Sequence, residues 1–135
     1  MAAILRALRR SEDGQALIEY ALSVVLFMTL VFGAADFGYM IYLYHGVNFV
    51  ARAASRWAMV RGSASLVPGT TASDVQAFVN SLGGCRCTAT TTWIPNHNPG
   101  SVVRVVVTTP YTALAGLTVP SGTQIRAQSE MVISQ

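Results

Sequence analysis

The chain has 135 residues, 52% hydrophobic and only 11% charged, with a formal charge of +3. That leaves room for one small domain and an apolar segment, and it is too greasy for an ordinary soluble globule. All nine basic residues are Arg, and residues 62–135 set Arg86, Arg104 and Arg126 against Asp74 and Glu130, which is no basic patch and argues against nucleic acid as a partner.

Residues 1–14 read as a short basic leader with Arg6, Arg9 and Arg10. Ile4, Leu5, Ala7 and Leu8 suit either a short amphipathic turn on a membrane surface or an unstructured leader. From Ala16 to Ala35 run 20 residues with a single charge, Glu19. In a helix they span roughly 30 Å, the thickness of a bilayer core. A carboxylate inside such a run costs roughly 2.5–3.5 kcal/mol on insertion scales, so Glu19 calls for a cationic partner. Cleavage after Gly14 would supply one. Gln15 would become the N-terminus, and its α-amine could meet Glu19 of the same chain or of a neighbour, setting a register between subunits.

The arginines precede the apolar run, which the positive-inside rule reads as a cytoplasmic N-terminus with residues from Asp36 onward exported. Two other readings compete for residues 15–35: an unprocessed signal anchor, and a secretory signal peptide cut after Ala35. The length of the run and the presence of Glu19 count against the second.

The motif Gly14-Gln15-Ala16-Leu17-Ile18-Glu19-Tyr20 resembles the processing site of type IV pilin-like proteins, and the Glu-Tyr pair points to their Flp/Tad branch. The continuation Phe32-Gly33-Ala34-Ala35-Asp36-Phe37-Gly38, followed by Ala51-Arg52-Ala53-Ala54-Ser55-Arg56-Trp57-Ala58, resembles the TadE-like family of pilus-assembly pseudopilins. The resemblance is specific over about residues 9–62 and loose beyond. It implies cleavage after Gly14 by a prepilin peptidase and a registry role for Glu19. The implied partners are the inner membrane, a major Flp-type pilin, a TadF-like companion and the assembly platform. Major Flp pilins are very short, so the extra domain here implies a minor pseudopilin that assembles or primes the fibre.

The helix is expected to continue through an exported half, 36–61. Met40, Leu43, Val47, Val50, Ala54 and Trp57 form one apolar stripe, with His45, Arg52 and Arg56 opposite. Tyr39, Tyr42 and Tyr44 suit an aromatic belt at the membrane exit. Gly62 is placed as the helix cap, and residues 62–135 as a small α+β domain. Ser73 to Gln76 reads as a capping box opening a short helix that buries Val75, Phe78, Val79 and Leu82 and stops at Gly83-Gly84. Three strands follow. Cys85–Ile94 is Thr-rich, with Cys85, Cys87, Ala89, Thr91 and Trp93 on one face. Ser101–Thr109 is Val-rich. Thr123–Ser134 turns Ile125, Ala127, Met131 and Ile133 inward. Leu114, Leu117 and Val119 sit in a crossover between the last two. The expected fold is α+β: a long N-terminal helix packed on a small antiparallel sheet, type IV pilin-like, with one short extra helix.

Cys85 and Cys87 could pair in an exported, oxidising compartment. In a regular strand their Cα atoms would stand about 7 Å apart, so the bond needs a turn or bulge there. The two thiolates with His97 make a poor metal set, and no metal or cofactor is expected. His45 reads as a polar-face residue and His97 as a turn residue. Neither belongs to a nucleophile or paired-carboxylate constellation, so no enzyme is expected. A second reading is an anchored or tip-displayed adhesive module whose Thr-rich sheet meets a surface ligand. An exported hydrolase or redox enzyme is a third, without a motif.

Overall fold

The computed structural model describes residues 2–63, 70–83, 85–113 and 122–134, with side chains from Gly14 onward. The chain is α+β: α1 (Ala2–Met59), α2 (Ala72–Ser81), β1 (Thr88–Ile94), β2 (Val102–Pro110) and β3 (Gln124–Val132). The strands form one antiparallel sheet in the order β1-β2-β3.

The helix α1 is continuous for 58 residues and begins inside the basic leader. It ends at Met59, before the Arg61 expected from the sequence, and Gly62 does not cap it with a left-handed turn. Its last carbonyls find other donors. Arg61 N–H reaches Ala58 O at 3.1 Å, Ser134 N–H reaches Met59 O at 3.2 Å, and the Arg61 guanidinium reaches Trp57 O at 3.3 Å. With those carbonyls satisfied, no glycine cap is required.

The expected stripe on α1 is the face that meets the sheet. Val47, Val50, Ala51, Ala54 and Ala58 are buried with Val103, Val105 and Val107 of β2 and Ile125 and Ala127 of β3. Met40, Leu43 and Trp57 flank them, half-buried. Three alanines and Ser55 on the contact line let the helix come close to the strands. There Ser55 Oγ lies 2.8 Å from Ser129 Oγ and donates to Arg52 O at 3.1 Å, so this buried hydroxyl is satisfied.

Strand alternation matches the inward and outward reading. In β2 every odd residue from Val103 to Thr109 is buried, and in β3 Ile125 and Ala127 point inward, with Ile133 buried just beyond. The inner rows align as Trp93–Val103–Met131, Thr91–Val105–Ser129 and Ala89–Val107–Ala127.

The capping box of α2 lies two residues earlier than expected. Thr71 is the N-cap and Asp74 is N3: Thr71 N–H donates to the Asp74 carboxylate at 2.8 Å, and Asp74 N–H donates to Thr71 Oγ1 at 3.3 Å. A short acid at N3 competes better for this place than Gln76, whose longer side chain reaches β1. Gln76 accepts from Ala89 N–H at 2.6 Å and donates to Cys87 O at 3.1 Å, covering part of a free sheet edge. Val75 and Val79 are buried as expected, Phe78 is half-buried and stacks on Trp57 at 5.1 Å, and Leu82 is exposed. Gly83 ends the helix region at φ +63°, where an L side chain is disfavoured. Gly84, the Pro68-Gly69 loop and the crossover residues Leu114, Leu117 and Val119 lie outside the described residues.

Candidate functional site

Gly14, Gln15, Glu19 and Tyr20 all sit on α1 and are all exposed. A Cβ built on Gly14 would meet nothing within 4 Å, and the residue lies within the helix, so the chain's own packing does not require glycine there. Glu19 has no ion pair among the described residues. The apolar residues that follow are not covered by the described residues either: Leu22 and Leu26 are each 71% exposed and Phe27 60%. So large an unpartnered apolar surface does not belong in water. From Gly14 the helix is long and apolar enough to cross a membrane by length and composition.

The change from exposed to buried occurs at Asp36. This residue is fully buried although it directly follows the apolar run. The Tyr111 hydroxyl, just past β2, donates to the Asp36 backbone carbonyl at 3.2 Å, and the Tyr39 and Tyr111 rings lie 6.2 Å apart. The domain is therefore clamped to the helix within one turn of the end of the apolar run. This corrects the expected aromatic belt: Tyr42 and Tyr44 face outward, but Tyr39 turns inward to the domain. The burial of Asp36 left no trace in the sequence, because an acid after an apolar run looks the same whether it meets water or a folded domain.

Cys85 and Cys87 are joined in a disulfide, with Cα atoms 5.2 Å apart. The bond fits because β1 begins at Thr88 and not at Cys85 as expected. The pair occupies a bend outside the ladder, where the chain is less extended than a strand requires. Among the described residues no three His, Cys, Asp or Glu side chains come together as a metal-binding group. His97 lies in the turn after β1, its ring 4.3 Å from that of Trp93. His45, Arg52 and Arg56 line the exposed back of α1.

Two surface carboxylates are held below their ordinary range. In Asp74 the cause is first the backbone N–H of Thr71 and then its hydroxyl. In Glu130 it is first Arg104, 2.6 Å away, and then the Gln128 amide. Both interactions are solvent-exposed and tie neighbouring residues on the surface.

These features define a class: a small α+β domain carried on the distal half of one helix that is long and apolar enough to cross a membrane. Within that class, residues 14–56 match the family model described as TadE-like protein. The match supports a TadE-like protein of the Tad pilus system and implies a part in assembly of that pilus. It covers the Gly14–Tyr20 motif, the apolar run and the stripe up to Arg56, while α2 and the sheet lie beyond it. No curated protein and no solved structure matches the chain.

Proposed function

We propose that the protein is a minor pseudopilin that assembles or primes a Tad-type pilus and performs no catalysis itself. The observation that carries this reading is the pairing of an exposed Gly14–Tyr20 motif with an apolar run, 16–35, that the described residues leave uncovered on a helix long enough to cross a membrane. A prepilin peptidase cuts after Gly14. The glycine, which no internal contact demands, serves the peptidase: a residue without Cβ gives a close backbone approach, and it weakens the helix locally by about 1 kcal/mol. The new α-amine of Gln15 then offers Glu19 its cationic partner, within the chain or between stacked subunits. Arg6, Arg9 and Arg10 hold the N-terminus in the cytoplasm, and the domain from Asp36 onward is exported from the inner membrane. Its partners there are a major Flp-type pilin, a TadF-like companion and the assembly platform.

The test is the pair Glu19→Leu and Glu19→Gln, assayed for membrane insertion and for pili separately. Both variants should insert, Glu19→Leu at least as well as the parent, and both should fail to assemble. Intact pili in both variants would contradict the registry role.

A second reading, an adhesive module, has one observation in its favour. Thr88, Thr90 and Thr92 all stand exposed on the outer face of β1, beside Thr108 of β2. Normal piliation with lost adhesion after deletion of residues 63–135 would favour it. Loss of pili in the same deletion would favour the assembly role.

A further inference from the structure

The membrane-facing end of the domain carries a feature that pilus assembly does not explain. Tyr111, next to the C-terminal end of β2, bonds to Asp36, so that end of the sheet points toward the end of the apolar run. A cavity of about 310 Å³ opens there, lined by Tyr39, Leu43, Arg86, Thr109 and Thr112 among others. Tyr39 is four residues past Ala35, about 6 Å along the helix, and Leu43 about 12 Å. The polar layer of a bilayer adds about 5–8 Å beyond each side of the hydrocarbon. The Tyr39 end of this cavity therefore lies at headgroup depth, and the Leu43 end just above it.

Charge is distributed the same way. Arg104 is paired with Glu130, about 13 Å up the sheet from Arg126, which stands opposite Thr108 near the membrane-facing end. Arg86 and Arg126 are exposed and have no ion pair among the described residues. Asp36 is fully buried and does not line the cavity. Arg86 is also held in place. The Cys85–Cys87 bond closes the backbone on both sides of it, and Thr109 Oγ1 donates to its carbonyl at 3.3 Å. An exposed guanidinium on a fixed stretch of backbone, in a cavity lined by threonine and tyrosine side chains, is suited to a phosphate diester.

We propose that this cavity binds the phosphate headgroup of a phospholipid in the leaflet where α1 leaves the membrane. Bound there, the lipid fixes the height and tilt of the domain above the bilayer. The proposal rests on α1 spanning a membrane, and on neither peptidase processing nor a role in pili.

The full chain is placed in nanodiscs holding phosphatidylglycerol and a phosphate-free glycolipid of the same acyl chains, then released into mild detergent. Native mass spectrometry reads the lipid retained. Phosphatidylglycerol should be retained over the glycolipid by about tenfold, the worth of one charge-assisted contact. Arg86→Gln should abolish that preference, with the disulfide confirmed by intact mass. Arg52→Gln, which removes the same charge from the back of α1, should keep it. Equal retention of both lipids, an unaffected Arg86→Gln, or an equal loss in Arg52→Gln would overturn the headgroup site. Displacement of the lipid by inorganic phosphate would assign the cavity to a free anion and overturn the lipid assignment. A chain that does not enter the discs would overturn the membrane-spanning reading and this proposal with it, whereas entry with unselective retention would overturn the site alone.

Discussion

The two halves of α1 share one backbone and differ in nearly everything else. Residues 16–35 bury almost nothing within the chain, and their large apolar side chains project all around the helix. Residues 36–59 confine burial to one stripe, which carries the core of the sheet. An all-round apolar helix is suited to lipid or to other helices, and a striped one to a domain on one side and water on the other. The boundary is sharp because Asp36 and Tyr39 are already engaged by Tyr111. One helix can thus serve two solvents if the change of surroundings falls within a single turn.

This contrast can be broken from either side. The largest effect is expected at Glu19. Glu19→Leu should make the proximal half more apolar and abolish assembly while leaving the fold of the domain unchanged, as read by pilus counts beside circular dichroism of the extracted protein.

On the other side, the distal half should be sensitive to volume. Ala54→Leu forces a larger side chain into the close contact between helix and sheet and should cost about 1–3 kcal/mol. Val105→Ala, at the centre of the middle strand, should cost about 2 kcal/mol. Thermal melts of the full chain in detergent check both, and the change Ala34→Leu in the proximal half is the control that should not shift the melt. A smaller loss, about 1 kcal/mol, is expected for Tyr111→Phe, which removes the hydroxyl bond to the Asp36 carbonyl at the boundary itself.

The smallest effect is electrostatic. Asp74 and Glu130 are both held below their ordinary values of 3.8 and 4.5. Their contribution is therefore present above those values and is lost as pH falls through the lower, folded-state values. Stability of the domain should decline slightly in strong acid, and the double change Asp74→Asn and Glu130→Gln should flatten that limb in melts taken against pH.

Much of this architecture was legible because periodicity carries it. The stripe from Met40 to Trp57 and the alternation in β2 and β3 each fit only one way of burying the apolar residues. The Gly14–Tyr20 motif was legible as a local string, and the TadE-like match spans it. The features that escaped depend on competition between neighbours or on distant contacts. Thr71 and Asp74 displaced Ser73 and Gln76 as the capping pair because Gln76 had a better use against β1. The end of α1 followed from Ser134 and Arg61, and Ser134 lies at the far end of the chain. For Cys85 and Cys87 the pairing and the need for a turn were legible, and only the late start of β1 at Thr88, which supplies that turn, was not. The inward turn of Tyr39 and the burial of Asp36 depend on Tyr111, more than 70 residues away.

We propose that the proximal half of α1 is a processed pilin-type segment. This is tested most directly by the intact mass and N-terminal sequence of the membrane-extracted protein, with and without the prepilin peptidase. The chain should start at Gln15 only when the peptidase is present. A chain starting at Asp36, or one starting at Met1 or Ala2 in the presence of the peptidase, would contradict it.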